Sequence, residues 1–399
     1  VGQFAAGRNA KCTNVAYHID LPILINCNFK EPKMAKSALL RLFATFLLLI
    51  PILNCSTKNE IQVKNYKGIK VPTDSIDRYF ESRMKELNIP GLSFAIINDG
   101  EVVYHKAIGY SNLEEKTLIT NKTIFEGASM SKSLFAFFVM IYVEEGKLDL
   151  DKPLFEYLPY PDISHDDRYK KITARMVLSH RSGFPNWREN EEDKKLKIKF
   201  EPGTGYEYSG EGYQYLAMVL KHIEGTDWNG VEKAFQEKVA KPLGLEHTVF
   251  IQTPYTKEHK AQPYDENGKR IDWKNDYWYK KNENTFVAAA SIHTEPIDFA
   301  MWMITVMKRE LLSEESYKEL FRHHSQVPNN GIEVFYTLGF FTLGKPLNNL
   351  YIHPGDNDGF TCYYALDIEK DWGYVLFTNS ENGGSLGGEF SVFLDKEKY

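Results

Sequence analysis

From Leu134 to Val143 the chain reads Leu-Phe-Ala-Phe-Phe-Val-Met-Ile-Tyr-Val, a run with no polar face. A helix that is apolar all round has to be covered on every side. The run therefore predicts a helix in the middle of a folded domain, with Gly146 as its C-terminal stop. Enough material exists to surround it: 399 residues, 43% hydrophobic, with 24 Tyr and 25 Phe.

The flanks divide by pattern. Asp74 reads as the N-cap of a helix carrying Ile76, Phe80, Met84 and Leu87 on one face, closed by Pro90-Gly91. Leu92–Ile97 and Glu101–Ala107 are rich in strand formers, and Asn98-Asp99-Gly100 between them predicts a hairpin turn. Residues 145–290 mix helical segments with polar loops. A helix over Phe299–Met307 follows, and strand patterns return at Tyr336–Leu343, Leu350–His353, Thr361–Leu366 and Tyr374–Thr378. Strands at both ends with helices between predict a mixed α/β (α+β) domain over 71–399. Its antiparallel sheet is assembled from both chain ends and flanked by helices, with a mostly helical subdomain inserted.

Residues 1–70 stand apart. Lys36 and Arg41 precede an apolar run, Leu42–Leu53, which reads as a secretory signal over 34–55. The run ends in Ile52-Leu53-Asn54-Cys55, which resembles a bacterial lipoprotein cleavage box, although Asn54 replaces the usual small residue. The expectation is lipid on Cys55, a membrane anchor and export to the periplasm. Plain secretion and an uncleaved anchor are the competing readings. Residues 1–33 have no role in this scheme and read as an over-extended start; 56–70 read as a tether. Of Cys12, Cys27, Cys55 and Cys362, only Cys362 would remain for the domain, as a buried structural thiol rather than a nucleophile. The net charge of -6, without a long basic run, gives no reason to expect nucleic-acid binding.

Ser129-Met130-Ser131-Lys132 opens the apolar helix. A serine hydroxyl needs a nearby base to become a nucleophile. Lys132 lies one helical turn on, and burial would favour its neutral amine. Ser-x-x-Lys alone is weakly specific, and a second copy, Ser82 to Lys85, sits on the polar side of the first helix. The setting distinguishes Ser129. Tyr208-Ser209-Gly210, ahead of a helix from about Gly212 to His222, places a second proton carrier at a junction. His353-Pro354-Gly355 ends a short strand, where the histidine could orient a substrate or tune the lysine.

The order Ser-x-x-Lys, Tyr-x-x, His-x-Gly resembles the serine β-lactamase and penicillin-binding protein superfamily, above all its class C β-lactamase, D-aminopeptidase and esterase branch. Supporting segments include Leu178-Ser179-His180-Arg181-Ser182-Gly183-Phe184-Pro185, Pro242-Leu243-Gly244-Leu245 and Tyr336-Thr337-Leu338-Gly339. The resemblance implies Ser129 as nucleophile, with Lys132 and Tyr208 sharing the proton and His353 in support. The oxyanion hole would be the N–H of Ser129 plus one just after Gly355, that of Asp356. His180 would buttress the fold. Neither cofactor nor metal is expected; the partner is a small ester, amide or peptide.

One position departs from the pattern. The family's second motif ends in asparagine, whose amide contacts an acylamino group, and Gly210 stands there instead. The departure favours esters over β-lactams or D-Ala-D-Ala peptides, with Glu211, next along, as the candidate substitute. A β-lactamase, D-Ala-D-Ala carboxypeptidase or D-aminopeptidase is the alternative enzyme. A catalytically silent relative that binds cell-wall fragments or a partner protein is the non-enzymatic one. An α/β-hydrolase is disfavoured because Gly127-Ala128-Ser129-Met130-Ser131 misses Gly-x-Ser-x-Gly. A metallohydrolase lacks His-Glu-x-x-His, and His323-His324 read as surface residues.

Overall fold

The computed structural model describes residues 62–399 except 330, 345–348 and 397. In chain order the first half holds β1 (Gln62–Lys64), β2 (Lys70–Pro72), α1 (Thr73–Leu87), β3 (Gly91–Asn98), β4 (Glu101–Asn112), β5 (Thr117–Leu118), β6 (Phe125–Glu126) and α2 (Ser131–Glu144). Helices α3 (Ala174–Leu178), α4 (Gly210–Ile223), α5 (Trp228–Phe235), α6 (Pro254–His259) and α7 (Tyr277–Asn282) follow. Then come β7 (His293–Thr294), α8 (Pro296–Lys308), α9 (Glu314–Phe321), β8 (Ser325–Val327), β9 (Val334–Tyr336) and β10 (Phe341–Leu343). The chain closes with β11 (Leu350–Asn357), β12 (Phe360–Asp367), β13 (Trp372–Thr378) and α10 (Leu386–Leu394).

Nine strands form one antiparallel sheet in the order β5-β4-β3-β13-β12-β11-β10-β9-β8. The seam between the chain ends is β13 against β3, with Gly373 opposite Ile97 and Thr378 opposite Leu92. Helices cover both faces. On one, Ile76, Phe80 and Met84 of α1 join Phe390 and Leu394 of α10 over Leu92, Phe94 and Ile96. On the other, α2 and α8 lie over Ala95, Ile97, Val375 and Phe377. Coverage on both sides explains why β3, β12 and β13 are buried at every position and lack in-out alternation. The expected sheet from both chain ends, with helices α3 to α7 between, is the observed architecture.

Four local expectations are corrected. Gln62–Lys64 pairs with Lys70–Pro72, so the supposed tether joins the fold from Gln62 onward, with Val63 buried; Cys55 and residues 1–61 lie outside the described residues. Pro72 occupies the cap position of α1, and Asp74 sits within its first turn. Tyr336–Leu343 is two strands, because Thr337 N–H bonds the Phe340 carbonyl and Gly339, at φ 92°, turns the chain. Conversely, Pro354-Gly355 does not end β11, which runs to Asn357. The Asp358-Gly359 hairpin makes Asn357 and Phe360 the hydrogen-bonded pair, so alternation turns the residue-354 backbone nitrogen to the opposite edge. No ladder hydrogen bond is lost to proline there.

Candidate active site

Every residue from Gly127 to Met140 is buried except Ser129. Ser129 lies not in α2 itself but in a 3₁₀ turn, Ala128–Met130, that leads into it. Ala128 takes φ 41°, sparsely populated for a residue with a side chain, and this kink accompanies the one accessible hydroxyl. The turn is pinned by Gly127 N–H to the Ile292 carbonyl (2.8 Å) and Ile292 N–H to Ser131 Oγ (3.0 Å).

Lys132 is 1% exposed. Its Nζ lies 3.2 Å from Ser129 Oγ and donates to the Ala289 carbonyl at 2.9 Å. Burial pushes its pKa well below the ordinary lysine value, favouring the neutral amine. The same nitrogen lies 4.5 Å from the centre of the Tyr208 ring. Tyr208 is half-buried, and its ring packs on His180 at 4.3 Å between centroids. His180 also accepts the Ser209 N–H through Nδ1 at 3.0 Å, which fixes the chain next to Tyr208. Ser209 caps α4 by accepting the Gly212 N–H at 2.9 Å, so that helix begins two residues earlier than expected.

His353 faces the same side of the sheet, fully buried, but both its ring nitrogens are engaged. Nδ1–H donates to the Pro354 carbonyl (2.7 Å), and Nε2 accepts from the Tyr336 hydroxyl (3.2 Å). Burial, then the nearby Lys132, push its pKa down to about 3, so it is neutral at ordinary pH. This geometry suits a positioning role rather than proton transfer.

Gly355 brings β11 against the turn that carries Ser129: a Cβ there would meet the Gly127 carbonyl at 2.8 Å and collide with Cys362 Sγ. By the alternation described above, the Asp356 N–H points to the edge of β11 not paired with β12, on the Ser129 side. Two backbone donors can thus flank one oxygen. Partial desolvation by the crowded hairpin, then Asp358, push the Asp356 carboxyl up to about 6, although the residue keeps access to solvent. Cys362 is a buried free thiol that donates to the Gly127 carbonyl at 3.2 Å. His323 is exposed as expected, whereas the His324 side chain is buried, 3.1 Å from Glu319.

Glu211 does not stand in for the missing amide. It is buried and accepts from Arg188, with Nε at 2.8 Å, Nη2 at 2.7 Å and the backbone N–H at 2.9 Å. Its oxygens are committed to a structural latch.

Sequence reasoning missed a polar cluster beside the site. Glu126, three residues before Ser129, pairs with Lys260, whose side chain has no solvent exposure and whose nitrogen lies 4.0 Å from the Trp273 ring centre. Glu126 also accepts from Asn357 Nδ2 at 2.5 Å, and the same amide reaches the Ala290 carbonyl at 3.3 Å. These bonds join the strand before Ser129, the segment that holds Lys132, and the hairpin that carries Asp356. Four sequence-distant groups form it, and no local pattern announces them.

A further candidate centre, His247, Glu295 and Asp298, could hold a metal by proximity. Its carboxylates are already spent on the backbone: Asp298 accepts from the Glu246 and His247 N–H groups, and Glu295 from Ile297 and Asp298. No described helix is long and apolar enough to cross a membrane.

Comparison with known proteins identifies relatives and a shared fold. Protein flp of Staphylococcus aureus (strain COL) is 25% identical over 327 residues, 76% of this chain and 62% of flp. The chain therefore spans less than two thirds of that relative. PbpX of Bacillus subtilis (strain 168), a protein with penicillin-binding in its name, is 25% identical over 347 residues, 84% of this chain and 82% of its own. The octameric penicillin-binding protein homologue from Pyrococcus abyssi shares the fold, with a TM-score of 0.67 at 23% identity over 82% of this chain and 78% of that one. The sequence model of the β-lactamase family matches residues 76–389, and so the chain belongs to that family, within the serine β-lactamase and penicillin-binding protein superfamily.

Proposed function

We propose that the protein is a serine acyl-hydrolase that works through a covalent acyl-enzyme, with esters as its favoured substrates. One observation carries this reading: a fully buried, desolvated amine lies 3.2 Å from the single accessible hydroxyl of a buried segment. A neutral Lys132 accepts the Ser129 proton as Oγ forms a bond to the carbonyl carbon. The resulting oxyanion lies between the Ser129 and Asp356 N–H groups. Collapse breaks the bond to the leaving alkoxide, which takes the proton back through Lys132 and Tyr208. Water, deprotonated by the same pair, then frees the acid and restores Ser129.

Burial itself holds the proton off the lysine, and His353 beside it is neutral. Gly210 removes the amide expected for acylamino recognition, which supports esters over β-lactams. Export and a lipid anchor at Cys55 are part of the same proposal, and rest on the apolar run at Leu42–Leu53. The substrate is then a small ester or amide outside the cytoplasm.

Labelling tests the reading. A fluorophosphonate probe should modify Ser129, identified by peptide mass, and Ser129→Ala should abolish labelling while circular dichroism stays unchanged. A folded wild type that resists the probe would favour the silent, ligand-binding relative.

A further inference from the structure

Gly210 is a glycine for reasons of space. Its backbone φ is not positive, so no conformational demand excludes a side chain. A Cβ there would instead sit 2.7 Å from the Trp187 ring, against both Cζ2 and Cη2. The six-membered ring of the indole occupies the volume into which a side chain at 210 would grow.

That placement is built. Asn186 accepts the Gly210 N–H through Oδ1 at 3.0 Å, and its carbonyl accepts the Glu211 N–H at 3.0 Å. On the other side of Trp187, Arg188 grips Glu211 through its guanidinium and its backbone N–H. Residues 186 and 188 thus clamp the first turn of α4, and the tryptophan between them is carried onto Gly210. This turn borders the reacting groups. Tyr208 precedes it by two residues, and Gln214, one helical turn after Gly210, bonds the Phe286 carbonyl (3.2 Å) and the Ala288 N–H (3.3 Å). The next residue, Ala289, accepts from Lys132.

We infer that Trp187 is a specificity-determining residue: its half-buried indole offers a flat apolar wall where an asparagine amide would otherwise act, and selects acyl groups that carry an aryl or similarly flat apolar substituent. The assignment rests on the hydrolase reading of Ser129. An indole face binds such a group through apolar burial and ring packing, and has little to offer an acylamino group. The pairing is reciprocal, since a side chain at 210 and the indole at 187 cannot both fill the space.

The test compares p-nitrophenyl phenylacetate with p-nitrophenyl acetate, which share a leaving group and differ in the flat substituent. Active sites are counted with the fluorophosphonate in every variant, so misfolded protein drops out of the comparison. Wild type should prefer phenylacetate. Trp187→Ala should lower that kcat/KM ratio by about ten-fold. Trp187→Phe, which keeps a flat ring, should retain most of the preference. Trp187→Ala/Gly210→Asn should in addition gain rate on an acylamino ester such as N-acetylglycine p-nitrophenyl ester. A labelled enzyme whose phenylacetate-to-acetate ratio is the same in wild type and Trp187→Ala overturns the role of Trp187 and leaves the hydrolase reading standing. An unlabelled wild type overturns both.

Discussion

Two lysines are buried near the strand that leads to Ser129, and they differ in their charged neighbours. Lys260 has Glu126 in direct contact and an aromatic ring beneath it. Lys132 has a carbonyl, a hydroxyl and aromatic rings, but no carboxylate partner among the described residues. Burial lowers the pKa of both, yet at Lys260 the glutamate charge opposes the shift, whereas at Lys132 desolvation is the cause that stands. A carboxylate partner favours the ammonium form of a buried lysine; without one, burial favours the neutral amine. In the proposed mechanism the carboxylate, not the degree of burial, separates the structural lysine from the base.

The contrast can be broken by exchanging the consequences. Lys132→Met should lower kcat/KM for p-nitrophenyl acetate by at least about 10³-fold, while its thermal midpoint stays near that of wild type, because no buried ion pair is broken. A midpoint collapse in this variant would show that Lys132 is structural after all. The same base predicts a pH profile. In wild type kcat/KM should rise as Lys132 loses its proton, at a pH below the ordinary lysine range, and be level through that range; a rise only near the ordinary lysine value would refute the desolvation argument.

Lys260→Met should do the reverse. It strands the Glu126 carboxylate, and denaturant melts should show a loss of about 3 kcal/mol. Pairing it with Glu126→Gln should return much of that stability. If the single variant melts like wild type, the ion pair is not a strut.

Smaller effects sharpen the picture of what Glu126 does for the reaction. Asn357→Ala removes the tie between Glu126 and the hairpin that carries Asp356, and should lower kcat by about ten-fold with little change in KM. An equal loss in both would point to general loosening. Asp356→Asn removes a carboxyl that ionises near pH 6 beside the proposed oxyanion donor. Below that pH the wild-type group is neutral, and above it a negative charge opposes the oxyanion. Relative to wild type, the variant should therefore gain only about two-fold between pH 5 and pH 8, since the side chain is exposed to solvent. A pH-independent ratio would place the carboxylate away from the reacting oxygen.

Much of this was legible in the residues. The hairpin at Asn98-Asp99-Gly100 and the helix after Ser129 follow from local pattern, and both stand where expected. Errors cluster where tertiary packing overrode a local signal. Pro354 looked like a strand end, yet it lies at an edge position of β11 that needs no N–H. Gly210 looked like a simple loss of a contact, and Glu211 like its replacement. Packing against Trp187 and Arg188 explains both residues differently.

The division has a physical basis. Groups three residues apart on a helical turn are neighbours whatever surrounds them, so the sequence alone set Lys132 beside Ser129 and made the following helix apolar enough to demand a central place. The desolvation that frees the amine, the ring of Tyr208 against it, the β11 edge at Asp356, the Glu126–Lys260 pair and the indole over Gly210 all join residues far apart along the chain. Such contacts leave no periodicity in any one segment. Only the closed sheet, with its two ends paired and helices packed on both faces, decided them.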